Sequence, residues 1–90
     1  MNIQRKIVVR GKVQGVGFRN ATWRKAMELG IRGSVRNLDD GSVEILASAT
    51  DKEFIIFENW FREGPSHARV DRLEISELDQ TGFTDFSIDD

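Results

Sequence analysis

The chain predicts an α+β fold of the ferredoxin-like kind: a βαββαβ α/β sandwich with one extra carboxyl-terminal strand, its two helices on one face of an antiparallel sheet. Three observations predict it. Period-two alternation opens the chain at Lys6–Val13. Two helical stripes, one within Asn20–Gly30 and one after Thr50, are separated by two short β-type runs. The 90 residues, 1–90, are expected to form one domain, with no linker, repeat or low-complexity segment between these elements.

In Lys6–Val13 (KIVVRGKV), Ile7, Val9 and Val13 share one face and Arg10 and Lys12 the other, as in a half-buried strand. Asn20–Gly30 carries Trp23, Ala26, Met27 and Gly30 at helical spacing, and Gly30 is placed to end that helix. Ile31–Leu38 and Ser42–Ala49 are two runs joined through LDDG, a hairpin signal. Thr50-Asp51-Lys52-Glu53 has the spacing of a capping box, followed by an apolar stripe of Phe54, Phe57 and Phe61 and stopped by Gly64-Pro65. Val70–Leu78 and Phe83–Ile88 complete the chain as strands.

Composition excludes several chemistries. Cysteine is absent, which removes disulfides and thiolate catalysis, and His67 alone offers imidazole, so no zinc site is expected. Asp85, Asp89 and Asp90 lack the spacing of a calcium loop. No apolar run approaches the ~18 residues of a membrane span, and no secretory h-region follows Met1. A cytoplasmic protein without metal or cofactor is the expectation. The net charge of -2 conceals an asymmetry: nine basic residues and the single acid Glu28 lie before Asn37, and four basic and fourteen acidic residues lie after it. Either the halves pack together and mix their charges, or the first half presents a positive field to an anion.

The stretch KVQGVGFRN, Lys12–Asn20, bears on that choice. Gly15 and Gly17 allow the backbone to turn successive amides inward as a nest, and the helix that follows adds its unpaired amides and positive dipole end. Arg19 supplies a fork for two phosphate oxygens. Glycine spacing alone equally fits a plain turn with Arg19 as a surface charge. The stretch lacks the G-K-[ST] of a P-loop and the spacing of G-x-G-x-x-G. Asn37, ending the second strand, falls on the same sheet edge, about 10 Å away with one strand between. There it can belong to the hairpin or orient a water beside a bound phosphate.

Gly11–Arg19 (GKVQGVGFR), with Gly33-Ser34-Val35-Arg36-Asn37 and Asp40-Gly41-Ser42-Val43-Glu44, closely resembles the acylphosphatase family, and the resemblance extends through Gly64-Pro65 and Ala68-Arg69-Val70. It implies a hydrolase of the carboxyl–phosphate bond of acyl phosphates, needing no metal or cofactor. It further implies a phosphate-binding loop of Gln14, Gly15, Val16, Gly17, Phe18 and Arg19, with Arg19 and Asn37 catalytic, the asparagine positioning water. One position departs from the pattern: Ser34 stands where members usually carry an aromatic. The expected partners are a small-molecule acyl phosphate and inorganic phosphate as product and inhibitor, with no nucleic acid or membrane, and the protein is expected to be a monomer.

Two other readings share the scaffold. One is a non-catalytic anion-binding or regulatory module. The other is an RNA-recognition domain, which has the same element order but needs exposed aromatics on its central strands; Lys6–Val13 and Ser42–Ala49 contain none. His67 reads as a solvent-exposed loop residue, and Trp23 and Trp60 as packing residues.

Overall fold

A computed structural model describes residues 1–89; Asp90 lies outside the described residues. The elements are β1 (Ile3–Lys12), α1 (Phe18–Leu29), β2 (Arg32–Asn37), β3 (Val43–Ala49), α2 (Asp51–Glu63), β4 (Arg69–Glu77) and β5 (Phe86–Ile88). They build one sheet in the order β4-β1-β3-β2-β5. The central β1 and β3 pair antiparallel, Ile7 opposite Ile45 and Val9 opposite Val43. In β2, Val35 lies opposite Ile45 and Asn37 opposite Val43.

The expectation of an antiparallel sheet needs one correction. The sheet is mixed, because β5 pairs parallel with β2, Gly33 opposite Phe86 and Val35 opposite Ile88. The long return from β4, at the opposite edge, lets the last strand cross over to the free edge of β2 rather than turn back beside β4. The Trp23 indole N–H donates to the Phe86 carbonyl at 3.0 Å, which fastens this short strand to α1.

Alternation decides which face is buried. Ile7, Val9, Val35, Val43, Ile45 and Ala47 all lie fully buried on the face covered by the helices. Phe54, Phe57 and Phe61 meet them from α2, each contributing roughly 1.5–3 kcal/mol by leaving water. From α1 the buried residues are Phe18, Thr22 and Ala26, an i, i+4, i+8 row. Met27, expected on that row, is 54% exposed; one residue past Ala26 rotates it about 100° off the buried line. Helix α1 also starts two residues earlier than its stripe implied, at Phe18, and ends at Gly30 (φ 72°), where the Ile31 amide reaches back to the Ala26 carbonyl at 2.9 Å.

The open face is polar, and there the charges of the two halves mix. Glu44, 7% exposed in its side chain, takes Arg36 at 2.8 Å and Lys6 at 3.7 Å. Arg10 bridges Asp40 at 2.9 Å and Glu74 at 3.1 Å. On the helix side Arg5 pairs with Glu58 at 2.9 Å and lies over the Phe54 ring. Much of the positive charge of the first half is thus answered by acids of the second.

Candidate functional site

Just past β1 the chain buries Val13, which leaves it at the sheet edge with four residues to traverse before α1. Gly15 (φ 74°) and Gly17 (φ 77°) make that passage in the left-handed region, where a side chain would be strained. Nothing lies within 4 Å of a Cβ built on either, so conformation rather than space demands glycine here. Gly17 is also the N-cap of α1. It offers no side chain to the first turn, which contains no acid. The first intrahelical bond runs from the Ala21 amide to the Gly17 carbonyl, so the amides of Phe18, Arg19 and Asn20 have no partner within the helix.

These amides border a cavity of about 200 Å³ walled by Val13, Gly15, Gly17, Phe18, Arg19, Asn20, Asn37 and Ile88. Asn37 enters it from β2, across β3 from the loop, as the strand order requires. Its side-chain oxygen is buried and has no hydrogen-bond partner among the described residues. Ile88 reaches the same cavity from β5, because the parallel register sets it beside Val35.

Arg19 is held in place. One guanidinium nitrogen donates to the Asp89 carbonyl at 3.0 Å, and the Asp89 amide in turn donates to the Val35 carbonyl at 2.8 Å. The carboxyl-terminal strap therefore runs from β2 to the arginine and forms one wall of the cavity.

Gln14 occupies a different place from the rest of its loop. Its side-chain amide nitrogen donates to the carbonyls of Leu38 and Ser42, both at 2.8 Å, at the mouth of the β2–β3 hairpin. Neither Gln14 nor Val16 is among the residues that wall the cavity; Val16 packs against the hydrophobic core instead. The same hairpin is braced by Asp40. Bonds from the Ser42 side chain and amide, and then from Arg10, hold the Asp40 carboxyl well below the usual carboxylate range. The reciprocal contacts to Asp40 and Glu74 raise the Arg10 guanidinium.

The structure thus brings together Gly15, Gly17, Phe18, Arg19 and Asn37, and turns the side chain of Gln14 outward from them. Sequence reasoning missed Ile88 and the Asp89 carbonyl. The alternation of Phe86 and Ile88 was visible in the sequence, but their pairing with β2 left no local signature. His67 is exposed, and Trp23 and Trp60 are half-buried against the core. Among the described residues no three His, Asp or Glu side chains gather as metal ligands would.

A left-handed glycine loop, the start of α1 and a guanidinium border one cavity at the sheet edge of a small α+β protein. A model of the acylphosphatase family matches residues 5–88. An acylphosphatase of Pasteurella multocida is 42% identical over 87 residues, covering 96% of this chain and 97% of the relative. That of Mannheimia succiniciproducens is 46% identical over 86 residues, covering 96% and 93%. The structure of an acylphosphatase from Coxiella burnetii superposes with a TM-score of 0.92 at 35% identity, covering 98% of this chain and 93% of that one. The chain belongs to the acylphosphatase family.

Proposed function

We propose that the protein hydrolyses the carboxyl–phosphate bond of small-molecule acyl phosphates, releasing a carboxylate and inorganic phosphate. The observation that carries this reading is the buried, unpaired side-chain oxygen of Asn37, a residue that walls the cavity across β3 from the glycine loop. A buried acceptor left unpaired costs about 1–3 kcal/mol, a cost that is offset if the atom receives a hydrogen from the attacking water.

In this reading the amides of the 14–19 loop and the Arg19 guanidinium hold the phosphoryl oxygens. The contribution of Gln14 to that cradle is confined to its backbone, since its side chain is engaged at the hairpin. Asn37 aims the water at phosphorus, in line with the departing carboxylate; the P–O bond to the acyl group breaks as the new one forms. A carboxylate is already a good leaving group, so positioning and charge stabilisation do the catalytic work and no strong base is required. The cradle supplies its positive charge from amides and arginine, so the reaction proceeds without metal or cofactor. Inorganic phosphate, as product, competes for the same cradle. No described helix is long and apolar enough to cross a membrane. A cytoplasmic monomer, one domain over residues 1–90, acting on neither nucleic acid nor membrane, fits this chemistry.

The test is to incubate the purified protein with benzoyl phosphate in excess EDTA and follow loss of the acyl phosphate. Turnover with competitive inhibition by phosphate is expected. Loss of activity in EDTA that Mg²⁺ restores would overturn the mechanism, and absence of turnover under all conditions would leave a binding module.

A further inference from the structure

The outward-facing side chain of Gln14 has its own geometry to explain. Strand β1 runs on past Val9, where its pairing with β3 ends, and so lies alongside the hairpin that follows Asn37. Gln14, at the end of that overrun, donates from one nitrogen to Leu38 O and Ser42 O, both at 2.8 Å. Both carbonyls already have a backbone partner: the Gly41 amide bonds Leu38 O at 3.2 Å, and the Leu38 amide bonds Ser42 O at 2.9 Å. The glutamine is therefore not needed to satisfy them. What it adds is a tie between two segments 24 and 28 residues away in sequence, the glycine loop on one side and the residue next to Asn37 on the other.

We infer that Gln14 is a positioning residue for Asn37: its amide sets the distance and angle between the glycine loop and the strand end that carries the water-orienting side chain. The inference rests on the catalytic reading of Asn37 given above. In-line attack tolerates little misplacement, since a shift of about 1 Å at a reacting group can cost on the order of 10²-fold in rate. The Arg10–Asp40 pair braces the far end of the same hairpin, so without Gln14 the hairpin keeps its fold but loses the tie nearest Asn37.

The test is a double-mutant cycle with benzoyl phosphate as substrate and inorganic phosphate as a separate probe of the cradle. Gln14→Met keeps the length of the side chain and removes the donor, and the two carbonyls retain their backbone partners. The expected result is a fall in kcat of about tenfold, with phosphate affinity and KM changed by less than about twofold. Added to Asn37→Ala, the same substitution is expected to cost less than about twofold further, because the group it positions is gone. If the two losses multiply, or if phosphate affinity falls in step with kcat, Gln14 acts on the cradle or on folding and the inference is wrong. If Asn37→Ala keeps the full rate, the reading of Asn37 fails first and takes the inference with it. Should Gln14→Met lose the native circular-dichroism spectrum, Gln14→Asn, which keeps the donor one methylene short, is carried through the same cycle with the same criteria.

Discussion

The two helices of this protein begin in opposite ways. At α2 the Thr50 hydroxyl accepts from the Glu53 amide at 3.2 Å, and the Glu53 carboxylate accepts from the Thr50 amide at 2.8 Å. Asp51 and Glu53 place negative charge against the positive end of the dipole. Helix α1 has none of this: a left-handed glycine stands at its N-cap and makes no side-chain cap bond, and its first turn holds no acid. The difference teaches where a local cap belongs. At α2 the helix's own sequence satisfies the exposed amides. At α1 the cap residue supplies none, and the proposed function gives that end an anion to hold, while Phe18 anchors the same turn in the core.

The largest expected effect comes from emptying the open end of its partners. Arg19→Gln should lower turnover of benzoyl phosphate by about 10²–10³-fold, or about 3–4 kcal/mol, and weaken phosphate inhibition as well. Asn37→Ala should cut turnover comparably while phosphate titrates nearly as before, since its proposed role is to orient the water and not to hold the phosphate. Calorimetric phosphate titration beside kinetics separates the two. If Asn37→Ala lost phosphate binding while Arg19→Gln kept it, the assigned roles would be reversed.

A smaller effect follows from making α1 resemble α2. Asn20→Asp puts a carboxylate into the first turn of α1, at the cavity wall. It should raise thermal stability slightly, by about 0.3–1 kcal/mol through the dipole, yet weaken phosphate inhibition by about tenfold by occupying the field an anion would use. A gain in both would mean that the open end is not an anion site.

The converse change is Thr50→Ala. Removing the cap should cost about 1 kcal/mol of stability, lowering the midpoint by roughly 4–8 °C for a domain of this size, with kcat unchanged. Thermal melts and steady-state kinetics on the same preparation decide it. A fall in kcat in the folded protein would tie α2 to the site.

The smallest effect is electrostatic. Because the Asp40 carboxyl is depressed, its contribution to hairpin stability is fully present above the ordinary carboxylate value, about pH 4, and is lost as pH falls through the lower folded value. A carboxyl-carbon NMR titration should find Asp40 still charged at pH 3, below the ordinary carboxylate value. Titration of Asp40 near pH 4 would show that the Ser42 and Arg10 contacts do not persist in solution.

How much of this was legible in the sequence depends on the range over which each feature is decided. The capping box at Thr50, the hairpin at Gly41, the helix stop at Gly30 and the glycine loop are settled within a few residues, and each appears where local chemistry placed it. Alternation likewise placed Ile7, Val9 and Val13 on the buried face. The features that escaped are decided across the sheet. No run of residues near Phe86 specifies parallel pairing with β2, so neither the mixed sheet nor Ile88 in the cavity wall could be anticipated. Gln14 sits within the loop motif, and only the position of a hairpin distant in sequence reveals where its amide points.

The strap that holds Arg19 also bears on how the site assembles. Its carbonyl belongs to a residue 70 positions along the chain, and the wall beside it comes from β5. Contacts of such high order carry a large loop-closure cost and form late in folding, after the local turns and helices. The glycine loop can therefore take shape near the ribosome long before its arginine is fixed. Recovery of catalysis should be among the last signals to return in a refolding experiment, later than helical circular dichroism.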